Sequence, residues 1–152
     1  VYLGGENEEN MPADDRALGF MEVCLREGLE FLDPGREKDA GLYASLDYHS
    51  YIEKILEAHP EIDGIFAGDD SLAVIALHVA RQKGINIPKD LKIIGVDGTK
   101  QILGFVPELT TIQQPVKQIA KVAVDKLIDL IEGKTAESCM DLPVKLLEGQ
   151  TT

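Results

Sequence analysis

The chain has 152 residues, 44% of them hydrophobic, enough for one domain, or one lobe of a two-lobed protein, with a core of its own. Fifteen Lys and Arg against 27 Asp and Glu give a formal net charge of −12, so this segment lacks the basic surface that nucleic-acid affinity needs and is not expected to bind DNA by itself. No apolar run approaches the ~18 residues of a membrane span. No basic-then-apolar leader precedes Val1, and a start at Val1-Tyr2-Leu3-Gly4-Gly5 without methionine reads as a piece of something longer.

Short apolar runs alternate with helical patterns. Val1-Tyr2-Leu3 predicts a buried strand, and Pro12 to Gly28 a helix with Leu18, Met21, Val23 and Leu25 among its apolar positions. Leu29-Glu30-Phe31-Leu32 predicts a second strand, Pro34 to Gly41 a polar loop, and Asp47 to His59 a helix turning Tyr51, Ile52, Ile55 and Leu56 inward until Pro60 stops it. Gly64 to Ala67 is a third strand, and the stretch Ile65-Phe66-Ala67-Gly68-Asp69-Asp70-Ser71-Leu72-Ala73 carries it into a helix to Lys83, with Leu72, Ile75, Ala76 and Val79 spaced by three and four. Leu91 to Val96 is a fourth strand. Leu109 to Ile112 is a short β-prone run, and Pro115 opens a long helix to about Glu132 with Val116, Ile119, Ala120, Ala123, Leu127, Ile128 and Ile131 in one stripe. Leu142 to Leu147 closes with a last strand. This alternation predicts an α/β fold with a doubly wound parallel sheet. Cys24 and Cys139 each fall among apolar residues and read as small buried hydrophobes rather than a disulfide, which favours a reducing compartment.

In an open parallel sheet, ligands bind beyond the C-terminal ends of the strands, where this chain carries Gly4-Gly5, Gly68-Asp69 and Gly95-Val96-Asp97. Asp70 is the cheapest N-cap for the helix that follows. That leaves Asp69 to project into the crevice with Asp97, while Arg16 starts near the same edge. Two accepting carboxylates and one donating guanidinium suit the hydroxyls of a neutral polyol, each charged bond contributing about 1.5–3 kcal/mol. Plainer readings stand beside this one: Arg16 paired with Asp14 or Asp15 on the surface, Asp97 as a turn residue before Gly98, Tyr43 as an ordinary loop or core aromatic. Two adjacent carboxylates supply too few oxygens for a divalent cation, His49, His59 and His78 lack ligand spacing, and no Ser-His or Cys-His pair suggests nucleophilic catalysis. Gly4-Gly5 lacks a phosphate-binding fingerprint. No metal, cofactor or enzymatic activity is expected.

The stretches Val1 to Gly5 with Asp14 to Phe20, Ile62 to Gly98, and Pro107 to Lys134 with Leu142 to Leu147 resemble, nearly end to end, the C-terminal half of effector-binding modules in the lactose/galactose (LacI/GalR) repressor family. The resemblance implies a periplasmic-binding-protein-like module of type I: two doubly wound lobes closing on a sugar, with a separate N-terminal headpiece binding operator DNA. It further implies that residues 1–106 form the C-terminal lobe, that 107–136 are a crossover strand and helix belonging to the other lobe, and that 137–152 return to the first. The headpiece and most of the other lobe would be absent from this chain.

Position by position, Arg16 resembles the family arginine that bonds sugar hydroxyls, and Asp97 the hydroxyl-accepting aspartate. Asp69 stands where many relatives have asparagine. Tyr43 falls where relatives often stack an aromatic on the sugar, and Gln114 resembles a crossover residue facing the cleft. The Asp97-Gly98-Thr99 sequence is similar to sucrose- and ribose-operon repressors. The resemblance also implies a homodimer built on the helix from Ser71 to Lys83 and the segment Gln101 to Phe105. The long helix opened by Pro115 would leave its stripe uncovered without the other lobe. The resemblance implies a cytoplasmic protein without membrane contact. A second expectation is an exported sugar-binding protein of a transporter, and a third is a doubly wound enzyme or phospho-receiver, for which no catalytic set is found.

Overall fold

A computed structural model of the chain describes residues 1–4, 12–34, 47–135 and 139–152, the side chains of 12–14, 101 and 103 excepted. The strands are β1 (Tyr2–Leu3), β2 (Gly64–Ala67), β3 (Lys92–Asp97), β4 (Thr110–Gln113) and β5 (Lys145–Leu147), and they lie in that order in one sheet. The first four are parallel and β5 runs antiparallel to β4, so the sheet is mixed rather than wholly parallel. The described helices are α1 (Pro12–Glu27), α2 (Tyr48–Ala58), α3 (Asp70–Gln82), α4 (Lys100–Phe105) and α5 (Val116–Ile131).

Strand register divides the side chains between two faces. Tyr2 pairs with Phe66 and Phe66 with Ile94, which sets all three on one face, while Leu3, Ala67, Ile65 and Ile93 alternate onto the other. Phe20 of α1 covers the first face, its ring centroid 6.1 Å from that of Tyr2 and 5.9 Å from that of Phe66. The second face carries the main core, where Tyr51, Ile52, Ile55 and Leu56 of α2 and Leu72, Ala73, Ala76, Leu77, Val79 and Ala80 of α3 are buried. Helices on both faces are the doubly wound arrangement that the alternation predicts. Alanines at 73, 76 and 80 let α3 settle closely on the sheet, and each buried Leu or Ile contributes about 1.5–3 kcal/mol. Lys83, capping α3, joins it to α2 by pairing with Glu57 at 2.6 Å and Glu53 at 3.3 Å.

Several expectations shift. Leu29–Leu32 is not a strand: it passes beside β1 with one bond, Tyr2 N–H donating to the Leu32 carbonyl at 3.0 Å, and a single bond makes no ladder. The inward face of α1 is Ala17, Phe20 and Cys24, whereas Leu18, Val23 and Leu25 are exposed. Cys24 is buried as expected but Cys139 is exposed, and both are free thiols. The helix α4 has no counterpart in the sequence-based elements. No residue of α5 is buried, so its apolar stripe has no cover within this chain's described residues. The C-terminal residues are tied in by Thr151, whose hydroxyl donates to the Ile93 carbonyl at 2.7 Å and accepts from Thr110 N–H at 2.9 Å.

Candidate ligand site at the sheet edge

The C-terminal edge of the sheet is organised by the end of β3. Asp97 adopts φ 109°, a left-handed conformation costing a non-glycine residue about 1–3 kcal/mol, and such strain clusters at functional sites. Gly98 follows at φ 63°, where a Cβ would fall 2.6 Å from Gln113 Cβ, so the turn requires glycine on both counts. The turn sets Asp97 beside Gln114: the Gln114 backbone N–H donates to the Asp97 carbonyl at 3.2 Å, and its Nε2 donates to Asp97 Oδ1 at 2.5 Å.

Arg16, in the second turn of α1, reaches the same point from the other side. Its Nη1 donates to the Gly68 carbonyl at 2.6 Å, and its Nη2 lies 3.6 Å from Asp97 Oδ1. The Arg16 and Asp97 side chains are 33% and 35% exposed, shielded enough to hold geometry yet open to a ligand. Arg16, Asp97 and Gln114 therefore meet as one cluster. Only Oδ1 of Asp97 is engaged among the described residues, which leaves Oδ2 as an acceptor at the rim.

The cap falls to the other aspartate of the pair, and Asp70 neither caps the helix nor faces the crevice. Asp69, not Asp70, is the N-cap of α3: its backbone is extended and its Oδ1 accepts from Leu72 N–H at 2.9 Å. Asp70 is the first helical residue and is buried, its Oδ1 accepting from Thr111 Oγ1–H at 2.5 Å and its Oδ2 from Thr99 N–H at 2.9 Å. Burial pushes the Asp70 carboxyl above its ordinary range, more than the bonds from Thr111 and Thr99 pull it down, and the nearby Asp97 charge adds to the rise. Asp70 thus links α3 to the turn after β3 and to β4. Asp69 is half-buried, and its second oxygen has no hydrogen-bond partner among the described residues.

Tyr43 lies outside the described residues. Among the described residues no group of three His, Cys, Asp or Glu side chains is arranged to hold a metal ion, and no helix is long and apolar enough to cross a membrane. Beside Asp97 and Gln114 an open groove of about 1150 Å³ runs between the start of α4 and the first two turns of α5. The support that Thr99 and Thr111 give to Asp70 is the feature sequence reading missed, because it joins residues 29 and 41 positions apart.

The profile of the periplasmic binding protein-like domain matches residues 1–152, the whole chain. The chain belongs to the periplasmic binding protein-like domain family. Within it, the resemblance to lactose/galactose repressors is borne out by curated relatives. The sucrose operon repressor of Streptococcus mutans serotype c is 35% identical over 151 residues, covering 99% of this chain and 45% of that protein. The ribose operon repressor of Halalkalibacterium halodurans is 36% identical over 147 residues, covering 93% and 41%. A solved periplasmic binding protein/LacI transcriptional regulator from Alkaliphilus metalliredigens, complexed with D-xylulofuranose, superposes with a TM-score of 0.76 at 25% identity over 99% of this chain and 55% of that one. This periplasmic binding protein-like chain thus spans less than half the length of the two curated relatives.

Proposed function

We propose that this chain is the effector-binding and dimerisation module of a bacterial sugar-responsive transcriptional repressor, whose DNA-binding headpiece lies in the part of the protein outside it. The observation that carries the reading is the Arg16–Asp97–Gln114 cluster, a donor and acceptor set at the C-terminal edge of the sheet. Repressors among the relatives support it, including two named for sugar operons and a regulator complexed with a sugar. The ligand is a sugar held by Arg16, Asp97, Gln114 and the free oxygen of Asp69. The module acts by binding, not catalysis. No metal or cofactor takes part.

The five-stranded sheet, β4 included, makes one lobe, and α5 reaches toward a second. The uncovered α5 supports this division, with Val116, Leu127, Leu130 and Ile131 all more than half exposed. A sugar bridging the lobes biases their closure by its differential affinity for closed and open arrangements, and closure resets headpiece spacing in a cytoplasmic homodimer. An exported sugar-binding protein of a transporter would use the same cleft, and the curated relatives favour the repressor.

The test uses the full-length protein, titrated by fluorescence anisotropy against DNA from the promoter of its own operon, with and without sucrose or ribose. Specific binding that one sugar changes ten-fold or more is expected. Affinity no greater than for unrelated DNA would remove the operator from the account.

A further inference from the structure

Resting on that reading of the cleft, we infer that Asp70 is a positioning residue for the ligand: through Thr99 and Thr111 it holds Asp97 in its binding conformation and thereby sets affinity without touching the sugar. Asp70 is 1% exposed and Thr111 is fully buried, so neither side chain reaches a molecule in the cleft. Their effect on binding passes through the turn that carries Asp97. Asp97 needs such support, because a non-glycine residue at φ 109° stays there only where its surroundings over-determine it.

Residues 97, 98 and 99 each contribute a backbone bond to the turn, and two of these bonds lead to Asp70. The Asp97 carbonyl accepts from Gln114 N–H at 3.2 Å, Gly98 N–H donates to Thr111 Oγ1 at 3.3 Å, and Thr99 N–H donates to Asp70 Oδ2 at 2.9 Å. The Thr111 hydroxyl carries the Gly98 bond onward by donating to Asp70 Oδ1 at 2.5 Å. The turn has no cap of its own, since Thr99 precedes α4 without a side-chain hydrogen bond to it. Thr111 lies on β4, which ends at Gln113, so the same carboxylate also fixes the strand from which Gln114 reaches Asp97 Oδ1. With both oxygens of Asp70 engaged, loss of either bond leaves a buried polar group unpaired, and relaxation of the turn relieves it. A relaxed turn returns Asp97 toward negative φ and swings Oδ2 away from the ligand, while Arg16, anchored on the Gly68 carbonyl at 2.6 Å, stays in place.

The test is calorimetric titration of the full-length protein with sucrose and with ribose, on wild type, Asp70→Ala, Thr111→Val and Thr111→Ser, each alone and combined with Asp97→Asn, below every melting transition. Asp70→Ala and Thr111→Val should each weaken the sugar that binds wild type at least ten-fold. Thr111→Ser, which keeps the hydroxyl, should recover wild-type affinity to within about three-fold. In the Asp97→Asn background the oriented oxygen is already gone, so Asp70→Ala and Thr111→Val should cost no more than about two-fold further. A purely structural role would lower melting temperatures without this dependence on Asp97. A folded Thr111→Val with wild-type affinity, or the same ten-fold loss with and without Asp97→Asn, overturns the positioning role and leaves the sugar site standing. Should Asp70→Ala fail to fold, Thr111→Val and its serine control decide by themselves. Failure of both sugars on wild type overturns the sugar reading of the cleft and this role with it.

Discussion

Asp70 sits directly over Gly95: a Cβ built on Gly95 would lie 2.5 Å from Asp70 Oδ1 and 3.1 Å from Ala73 Cβ. The glycine in the middle of β3 is what lets the first turn of α3 rest on the sheet and deliver a carboxylate to Thr111 and Thr99. Gly95→Ala is therefore expected to destabilise the chain by about 1–3 kcal/mol through overpacking. Chemical denaturation measures it, and a variant as stable as wild type would show that α3 has room to retreat.

Asp70 also makes a signed prediction about pH. Burial raises its carboxyl above the unfolded value of 3.8, so between those two values the folded chain holds more protons than the unfolded one. The contribution of this group is then fully present below the unfolded value and is lost as pH rises through the folded one. The stability of wild type relative to Asp70→Asn should accordingly fall as pH rises from about 4 toward neutrality. Urea titrations of both proteins across that range test it; a difference that grows with pH would mean that the bonds from Thr111 and Thr99 outweigh burial.

Asp69 separates capping from ligand binding. Its Oδ1 is committed to Leu72 N–H, so Asp69→Ala should cost about 1 kcal/mol of stability while Asp69→Asn, an equally good cap, costs little. If the second oxygen also accepts a sugar hydroxyl, Asp69→Asn replaces that acceptor with a donor and changes ligand affinity with stability intact. Paired melting and calorimetry distinguish the two, and an asparagine variant with wild-type affinity would confine Asp69 to the cap.

Legibility followed the range of the interactions. Helical periodicity set α2 and α3 within one or two residues, since the apolar spacings at Ile52, Ile55 and Leu56 and at Leu72, Ala76 and Val79 are local. Arg16 and Asp97 were readable as candidates because strand ends carry ligands, and they do meet. Which of Asp69 and Asp70 caps α3 was not readable, because adjacent acids are equally good caps in isolation. What decides is Gly95, 25 residues on, which makes the space that Asp70 fills. The failed strand at Leu29–Leu32 has the same origin: its apolar pattern is sound, but pairing needs a partner in register, and β1 offers it a single bond.

Asp97 provides the most direct measurement. Asparagine tolerates the left-handed backbone at this position and still offers Oδ1 to Gln114, while its amide nitrogen turns the outward acceptor into a donor. Titration of the full-length protein with sucrose and ribose, beside Asp97→Asn and with melting temperatures in parallel, isolates that one oxygen. The account predicts a loss of at least ten-fold in affinity, about 1.4 kcal/mol or more, with the fold unchanged. Undiminished affinity, or a variant that unfolds without any ligand defect, would contradict the assignment of this edge as the sugar site.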